Sequence, residues 1–385
     1  MSRPLRVLQL IDSLAPSGAE RSLVSLAPHL VTEGVDVHIA YLIERGGLRA
    51  DVERAGIPLY ALTGGGERGR RRRWLNLTAD LLRDLRPDVV HTTLFEADLA
   101  GRRAAARMRV PCVSSLVNTA YGYTELSRDG LRRSRVWAAQ AADAVTARSV
   151  TKFHALTHYV ASLMGRRLFL PASRIEVIPR GRDPETLGRR SAERRNSTRH
   201  QLGIPHGVPL ILAVGRQEPQ KGLDVLLMAL PSVRSRFPNI RVLLAGREGR
   251  ATRLLAGLSE AHNLAETVTF LGRRNDVPDL LAAADVLAFP SLWEGAGGTV
   301  LEAMALECPI VAARLPVVLE SVDASMAELV SPGDTAELAR GILAVLSNQG
   351  ASDDRTRAAR ERFEQEFTIQ VSAGRMANFY SSATA

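Results

Sequence analysis

The sequence predicts an α/β protein made of two doubly wound domains, each with a parallel sheet covered by helices on both faces. Strand-like apolar runs alternate with helix-like segments along almost the whole chain. This order is typical of parallel sheets, in which a helix carries the chain back between neighbouring strands. The length of 385 residues exceeds one ordinary hydrophobic core, and a polar, charged stretch at 183–206 interrupts the alternation.

In the first domain, predicted over residues 1–182, continuous apolar runs indicate strands and 3.6-residue apolar spacing indicates helices. The first strand, 5–12, precedes a helix over 19–34 in which Leu23 and Leu26 occupy one face. The remaining strands are predicted at 35–42, 57–62, 88–93, 112–117, 144–149 and 174–179, and the remaining helices at 74–86, 96–109, 129–142 and 153–164.

The same alternation restarts after the polar stretch, which we interpret as a linker, and predicts a second domain over 207–367. Strands are expected at 210–215, 241–246, 267–272, 285–290 and 309–313, and helices at 222–235, 250–262, 277–284, 299–307 and 335–347. A last helical pattern over 353–380 is expected to break near Thr368. The final segment, 368–385, is expected to pack back onto the first domain.

Composition and targeting signals favour a cytoplasmic protein. No apolar run approaches the roughly 20 residues that cross a bilayer. The N-terminal MSRPLRVLQLID has no long apolar segment with a small-residue cleavage site, so no signal peptide is expected. Cys112 and Cys308 are too few for a disulfide framework or a metal-ligand cluster, and we expect both to be buried thiols and no metal site.

The positive charge is concentrated in the first half. Residues 1–182 hold 28 basic and 17 acidic residues, a net of +11, whereas the remainder holds 22 and 24, a net of −2. The excess includes the run Arg70–Arg73 and a cluster made of Arg128, Arg132, Arg133 and Arg135. We expect contact with an anionic membrane surface or a phosphorylated acceptor. A solvated basic face stays an alternative, and the aromatic content of 5% disfavours nucleic acid.

Two loops that lead from a strand into a helix are candidates for anion binding. The first, DSLAPSGAER (12–21), opens its helix near Gly18, where backbone can approach a ligand. The second, AVGRQEPQKGLD (213–224), carries Arg216 and Lys221, which together can neutralise a diphosphate. It is not a P-loop, because GxxxxGK[ST] is absent. The chain also lacks a GxGxxG motif after a predicted strand, which argues against a Rossmann dinucleotide enzyme.

The third candidate loop lies in FPSLWEGAGGTVLEAMALECP (289–309), where Glu294 and Glu302 flank a glycine-rich turn. Part of this pattern has a purely structural interpretation, since Thr299 and Glu302 match a capping box at a helix start. A capping box explains neither Glu294 nor the glycines beside it. Exposed backbone N–H groups next to carboxylates suit a ligand that carries both phosphates and hydroxyls, such as a nucleotide sugar.

These segments resemble the retaining GT-B glycosyltransferases of family 4. ADVLAFPSLWEGAGGTVLEAMA resembles the Glu-x7-Glu signature of that family, and GRQEPQKG resembles its G-R-x-x-x-x-K-G element. Further matches follow in the family's order along nearly the whole chain: APSGAE (15–20), PDVVH (87–91), IPRGRD (178–183) and FLGRRNDVPDLL (270–281).

The resemblance implies a nucleotide-diphosphate sugar, most often UDP- or GDP-linked, bound between two Rossmann-like domains and mostly on the second. It implies transfer of a hexose-type sugar to a glycan or lipid-linked acceptor in envelope or exopolysaccharide biosynthesis, with no cofactor and no metal. Arg216 and Lys221 would hold the diphosphate, Glu294 would face the sugar and Glu302 the ribose. The catalytic residues implied are Glu294, Arg216 and Lys221, and the donor-binding residues are Gly18, Gly215, Asn118, Arg247, Gly297, Gly298, Thr299 and Glu302.

Three departures from the family pattern limit what carries over. Asn118 stands where members often have a histidine, so it can bond a sugar hydroxyl but not transfer a proton. ARLPVVLESV (313–322) replaces a segment that often holds a glycine pair before a glutamate. Arg180 and Arg182 replace residues that are more often neutral. His91, in contrast, matches the family's PDVVH in position, although a structural histidine at a strand end is the favoured interpretation.

Two other functions stay open at this point. A GT-B relative such as a sugar-nucleotide epimerase would release nucleotide and an altered sugar without an acceptor. A non-catalytic basic adaptor for lipid or nucleic acid would bind no nucleotide diphosphate. Two neighbouring glutamates also fit a glycoside hydrolase, but such an enzyme has no use for the cations of a diphosphate site.

Overall fold

The computed structural model describes residues 3–63, 69–121 and 133–384. They form two compact units. The first extends to Gly181 and includes the C-terminal segment from Ile369, whereas the second comprises Arg182–Thr368.

The first unit contains a seven-stranded parallel sheet with a hydrophobic core on each face. The strands are β1 (Leu5–Ser13), β2 (Val35–Ile43), β3 (Leu59–Ala61), β4 (Val89–Thr93), β5 (Cys112–Leu116), β6 (Lys152–Ala155) and β7 (Ile175–Val177). They lie in the order β3-β2-β1-β4-β5-β6-β7. Alternate side chains of β1 enter different cores, Val7 and Ile11 on one face and Leu8 and Leu10 on the other. Burial on both faces explains the continuous apolar runs.

Seven helices cover this sheet in the described part of the first unit. They are α1 (Gly18–Thr32), α2 (Arg49–Arg54), α3 (Arg70–Leu85), α4 (Phe95–Met108), α5 (Arg133–Ala147), α6 (His158–Leu168) and, near the C-terminus, α16 (Ile369–Thr384). Phe379 and Tyr380 of α16 are fully buried in the same core as β1. The hydroxyl of Ser372 donates to the Pro179 carbonyl at 2.9 Å. The C-terminal helix is therefore an integral part of the first unit.

The second unit contains a six-stranded parallel sheet. Its strands are β8 (Leu210–Val214), β9 (Arg241–Ala245), β10 (Val268–Gly272), β11 (Val286–Phe289), β12 (Ile310–Ala313) and β13 (Glu328–Val330), in the order β10-β9-β8-β11-β12-β13. Its helices are α7 (Pro184–Leu187), α8 (Ala192–Gln201), α9 (Leu223–Arg236), α10 (Thr252–Ala261), α11 (Val277–Ala283), α12 (Gly298–Ala305), α13 (Pro316–Leu319), α14 (Thr335–Ser347) and α15 (Gln349–Glu366).

The structure corrects three elements of the prediction. Residues 144–149 were expected as a strand and 153–164 as a helix, but α5 continues to Ala147, the strand follows as β6 and α6 begins only at His158. The last turn of α5 is apolar because Ala147 is fully buried in the core, and this short apolar run resembles a strand. β13 has only three residues and was not predicted. The stretch 183–206 was expected to be a linker, yet it forms α7 and α8.

Ion pairs and apolar packing attach residues 183–206 to the rest of the second unit. Arg194 pairs with Asp279 at 2.7 Å and Arg195 with Asp285 at 2.6 Å. Leu187 and Ile204 are buried in one of the cores of this unit. The polar composition therefore reflects helices that are anchored mainly by ion pairs, which apolar periodicity does not detect.

The basic segments of the first unit take different positions. The Arg70–Arg73 run forms the first turn of α3, where Arg71 pairs with Glu96 at 2.7 Å. Arg128 and Arg132 of the predicted cluster lie outside the described residues, whereas Arg133 and Arg135 are exposed at the start of α5. No described helix combines the length and the apolarity needed to span a membrane.

Candidate functional site

The second sheet changes its winding direction between β8 and β11. β8 pairs with β9 on one side and with β11 on the other, so the loops that leave β8 and β11 run in opposite directions. Such a switch point leaves a crevice at the carboxyl ends of the two strands, which is where open α/β sheets bind ligands. The loops in question, 215–222 and 290–297, are two of the three that the sequence indicates.

Backbone contacts join these two loops directly. The N–H of Leu292 donates to the Gln220 carbonyl at 2.8 Å, and the Gln220 side chain donates to the Trp293 carbonyl at 2.9 Å. Gly222 has a φ of 58°, and a Cβ at this position would overlap the Pro290 carbonyl oxygen. Only glycine meets both requirements at once. We therefore treat the two loops as one structural assembly.

Lys221 and Glu294 meet across this assembly. The Lys221 Nζ lies 2.5 Å from Oε1 of Glu294, and the Ser291 hydroxyl donates to the same oxygen at 2.9 Å. The Glu294 side chain is only 9% exposed. The lysine stem packs on Gly215, where a Cβ would stand 3.1 Å from its methylenes. The structure thus brings together two of the three predicted catalytic residues and explains the glycine at 215.

Arg216, the third predicted catalytic residue, lies outside this pair. Its side chain is half exposed, and Nη1 stands 3.8 Å from Oε1 of Glu218. The other oxygen of Glu218 accepts from Arg250 at 2.9 Å. Glu218 therefore lies between two arginines on the surface of the loop, and Arg216 can reach solvent or a ligand by a change of rotamer.

Arg247 follows the neighbouring strand β9 and contacts the loop after β8 through its backbone. Its carbonyl accepts from the Gln217 N–H at 3.0 Å, and its side chain is exposed. The preceding Gly246 lies directly against Gly215, because a Cβ on Gly246 would overlap the Gly215 carbonyl. The ends of β8 and β9 thus approach so closely that Gly246 cannot be replaced without movement of the backbone.

Helix α12 begins at the glycine-rich turn, two residues earlier than a capping box with Thr299 as N-cap would require. Gly297 is its N-cap with a φ of 61°, and Gly298 and Thr299 form its first turn. Thr299 therefore cannot be the N-cap residue, and the capping-box interpretation of Glu302 is wrong. The Val300 N–H donates to the Gly297 carbonyl at 2.9 Å, but Gly297 has no side chain that could accept from the N–H groups of Gly298 and Thr299.

Glu302 makes an ion pair instead. Its Oε1 accepts from Nε of Arg182 at 2.8 Å, and both side chains are 21% exposed. Sequence reasoning did not assign Arg182 to the site, although it noted that this arginine departs from the family pattern. Ser291 and Gln220 were missed as well, because they act by orienting a carboxylate and a loop, and no motif marks such roles.

The two predicted site residues of the first unit occupy separate places in it. Gly18 is the first residue of α1, and a Cβ there would stand 3.4 Å from Nη1 of Arg180. Asn118 follows β5, is exposed, and accepts the Ala120 N–H at 3.1 Å through its side chain. Asn118 is therefore accessible to a ligand.

His91 belongs to a buried chain of hydrogen bonds, which supports its interpretation as a structural histidine. Nδ1 lies 2.7 Å from the Tyr380 hydroxyl and Nε2 lies 2.7 Å from the Ser115 hydroxyl. Ser115 in turn lies 2.8 Å from Nδ1 of His154, whose Nε2 is 2.9 Å from the Ile178 carbonyl.

The direction of every bond in this chain follows from its last acceptor. A carbonyl can only accept, so Nε2 of His154 donates and its Nδ1 accepts from Ser115. Nε2 of His91 must then donate to Ser115, and Nδ1 accepts from Tyr380. Burial lowers the pKa of His91 to about 3, with a smaller contribution from His154. Burial likewise lowers the pKa of His154 to about 4. Both imidazoles are therefore neutral at pH 7.

Cys112 and Cys308 and the possible metal ligands among the described residues bear on two expectations, buried thiols and no metal site. Both thiols are buried, as predicted, and burial raises the pKa of Cys112 to about 12 and that of Cys308 to about 11. Within the described ranges, no group of three His, Cys, Asp or Glu side chains is placed to hold a metal ion.

Two family models match the chain and together span most of it. Residues 16–186 match Glycosyltransferase Family 4, and residues 194–362 match Glycosyl transferases group 1. The first covers the loop with Gly18, and the second covers the assembly around Lys221 and Glu294.

Curated relatives extend over the same range. The chain is 30% identical over 357 residues to the 2-deoxystreptamine N-acetyl-D-glucosaminyltransferase of Streptomyces fradiae, which covers 87% of this chain and 80% of the relative. It is 31% identical over 312 residues to the D-inositol 3-phosphate glycosyltransferase of Xylanimonas cellulosilytica, which covers 77% of this chain and 72% of the relative.

The fold also matches a solved structure, that of Anabaena HepE in complex with UDP. The TM-score is 0.84 at 23% identity, with 98% of this chain and 100% of the other covered. Two parallel-sheet α/β domains of this kind define the GT-B fold, as the sequence predicted. The chain therefore belongs to family 4 of the GT-B glycosyltransferases, the group 1 glycosyl transferases.

Proposed function

We propose that this glycosyltransferase moves a hexose-type sugar from a nucleotide-diphosphate sugar to a glycan or glycolipid acceptor, with retention of anomeric configuration and without a metal ion. The Lys221–Glu294 pair at the switch point of the second sheet is the observation that carries the proposal. It places an ammonium and a carboxylate beside uncapped N–H groups of α12, a combination suited to a ligand with phosphates and hydroxyls.

Each side chain has a distinct part in this scheme. Lys221 and Arg216 neutralise the charge that develops on the departing diphosphate, the work that a divalent cation does in metal-dependent transferases. Glu294 accepts hydrogen bonds from the sugar, and Glu302 accepts them from the ribose. The backbone of Gly297, Gly298 and Thr299 contacts the phosphates, and Gly215 and Arg247 complete the part of the donor site that the second unit supplies. The donor-binding parts of Gly18 and Asn118 in the first unit stay predictions from the family resemblance.

The names of related proteins guide the choice of donors for testing. HepE was solved with UDP and also with UDP-glucose. A relative from Corynebacterium glutamicum, 29% identical over 216 residues, is a GDP-mannose-dependent mannosyltransferase that acts on a phosphatidylinositol mannoside. We therefore infer a UDP- or GDP-linked donor and an acceptor that is a glycan or a lipid-linked sugar, as expected for envelope or exopolysaccharide biosynthesis.

The experiment that tests the proposal measures nucleotide release from UDP-, GDP- and ADP-sugars with and without saccharide and lipid-linked acceptors. We expect acceptor-dependent release of one nucleoside diphosphate and a new glycosidic bond. Glu294→Gln should lower the rate at least about 100-fold, since one preorganised polar group contributes that much to a transition state.

Arg355→Gln is the matched control. This arginine forms a partly buried pair with Glu328 at 2.8 Å, and neither residue belongs to the proposed site. Release of free nucleotide and an altered sugar without any acceptor would identify an epimerase instead. If none of the three donor classes bound in a thermal-shift assay, a non-catalytic adaptor would replace the transferase proposal.

The stereochemical and metal proposals have their own readouts. Proton NMR of the first product formed should show the anomeric configuration of the donor sugar. Activity should persist in excess EDTA, because protein cations do the work of the metal. An inverted product, or an activity that EDTA abolishes and Mg²⁺ restores, would contradict the respective part of the proposal.

We further propose that the enzyme works at the cytoplasmic face of an anionic membrane, which it contacts through α5. Trp137 is 70% exposed and Val145 58% exposed on that helix, beside the exposed Arg133 and Arg135. Exposed aromatic and aliphatic side chains with basic neighbours suit an anionic interface. Trp137→Ala should reduce co-sedimentation with phosphatidylglycerol vesicles. Equal sedimentation with phosphatidylcholine vesicles would contradict the electrostatic part.

A further inference from the structure

Both carboxylates of the Glu-x7-Glu motif are engaged by a cation in this structure. Glu294 contacts Lys221, whose part in the donor site is already proposed, whereas Glu302 contacts Arg182. The Arg182 pair joins a residue at the start of the second unit to a residue on α12, 120 positions further along the chain. Partial burial distinguishes it from surface pairs such as Arg49–Glu53, which has the same length of 2.8 Å but side chains more than half exposed.

The backbone of Arg182 is fixed independently of its side chain. Its N–H donates to the Phe367 carbonyl at 2.9 Å, and the residue forms an isolated parallel bridge with Thr368. The stem of the arginine therefore starts from a defined position. Its Nε is then held by Glu302, so the orientation of the guanidinium plane is determined at both ends.

The Nη2 edge of this guanidinium lies over Gly298. A Cβ at Gly298 would overlap Nη2, so the glycine creates the space that the arginine occupies. Gly298 is also the first residue of α12, and a cation is electrostatically unfavourable at a helix N-terminus. The carboxylate of Glu302 offsets part of that cost. A bound anion at the same place would offset more, because it would accept from both the guanidinium and the backbone N–H groups.

We propose that Arg182 is a donor-binding residue that holds Glu302 toward the ribose with Nε and presents Nη donors to the diphosphate. The inference rests on the proposed function, since it places the donor at α12. It adds a third cation to Arg216 and Lys221, supplied by the IPRGRD segment rather than by a loop of the second sheet. Only a planar, forked guanidinium can serve both partners simultaneously, whereas an ammonium is a single attachment point.

The test compares nucleoside diphosphates with the matching monophosphates by isothermal titration calorimetry, using UDP and UMP, GDP and GMP, and ADP and AMP. The wild type should bind one diphosphate more tightly than its monophosphate. Arg182→Gln should reduce that preference about tenfold, while Arg182→Lys should fall between the two. Arg355→Gln, which breaks an ion pair of the same length, should keep the full preference.

A merely structural arginine would lower the affinity for the diphosphate and the monophosphate equally, and that result would overturn the inference. Tighter diphosphate binding by Arg182→Gln would overturn it too, because the arginine would then only block the site. If the wild type bound a diphosphate and Arg182→Gln matched it, the inference would fail and the proposed function would stand. Absence of binding to all three diphosphates in the wild type would remove both.

Discussion

The two parallel sheets have the same strand order around their switch points. The polar groups at these two switch points are nevertheless arranged differently. In the first unit the switch point lies between β1 and β4, and in the second between β8 and β11. At the first, Asp12 at the end of β1 accepts the Ala97 N–H at 2.7 Å and so satisfies the start of α4. At the second, α12 begins with Gly297 as N-cap, and no side chain of that residue covers its N–H groups.

The difference indicates which switch point is arranged for an external anion. A helix whose first N–H groups already donate to a carboxylate of the protein has few donors left for a phosphate. A helix whose first N–H groups are uncapped, beside two loops that carry cations, has both N–H donors and positive charge for one. The first unit instead places its polar side chains in the interior, where Tyr380, His91 and Ser115 join the C-terminal helix to the sheet. These three side chains stabilise the first unit, whereas the polar groups at the switch point of the second unit are the ones that we propose to bind a ligand.

The largest effect is expected from Lys221→Ala, which removes the cation from the second switch point. Sugar transfer should fall about 1,000-fold, or about 4 kcal/mol in transition-state free energy. Circular dichroism should show a folded protein. Activity within a factor of ten of the wild type would refute the assignment of Lys221 to the diphosphate and weaken the contrast between the two switch points.

A large effect on stability is expected from Gly222→Ala, which tests whether the two loops form one assembly. The added Cβ meets the Pro290 carbonyl at a φ of 58°, so the variant should lose about 2–4 kcal/mol in free energy of unfolding, measured with urea. Gly257→Ala in α10 is the control, because no atom lies within 4 Å of its Cβ. Alanine there should stabilise the helix by about 0.5–1 kcal/mol. Equal effects at both sites would contradict the assembly.

A pH-dependent effect is expected from Asp12→Asn at the first switch point. Burial raises the pKa of Asp12 to about 7, although hydrogen bonds from the backbone of α4 oppose the shift. A raised pKa means that the folded state holds a proton that the unfolded state releases, so this stability is lost as pH rises from about 4 through 7.

Asparagine keeps an acceptor for Ala97 without the charge. Between pH 5.5 and 6.5 the wild type should therefore lose about 1.4 kcal/mol of unfolding free energy relative to Asp12→Asn, which has no charge to lose or gain at this position. Urea titrations at the two pH values measure it. A difference that stays constant with pH would show that Asp12 is ionised throughout.

The smallest effect is expected from Tyr380→Phe. The variant removes the hydroxyl between Gln9 and His91, which lie 3.0 Å and 2.7 Å from it. The first unit should lose about 1–2 kcal/mol of unfolding free energy, because two buried partners lose a bond. Sugar transfer by the folded enzyme should remain near the wild-type rate. A loss of transfer without a loss of stability would instead assign the buried chain to catalysis.

Much of the fold could be predicted because its physical signals are local. Strands buried on both faces are recognisable as apolar runs. Loops after the strands of doubly wound sheets hold the functional residues, so Lys221 and Glu294 were predicted as site residues, and the structure brings the two side chains into contact. The break expected near Thr368 lies between α15 and α16. The family resemblance then identified which loops belong together.

The remaining features depend on contacts between distant residues. Helix α8 carries few apolar side chains and is held by Arg194 and Arg195, so its sequence resembles a linker. Thr299 and Glu302 satisfied a capping-box pattern, but Gly297 starts the helix earlier. Arg182 reaches Glu302 from 120 residues away, and no local pattern reports such a pair.

The central claim is that the loops after β8 and β11 of the second unit bind the donor diphosphate. Hydrogen–deuterium exchange with UDP, GDP and ADP tests it most directly, since exchange reports protection loop by loop. The account predicts that at least one of the three protects both 216–222 and 290–299 in the wild type and that Lys221→Ala loses this protection. Binding of a diphosphate without protection of either segment would contradict it.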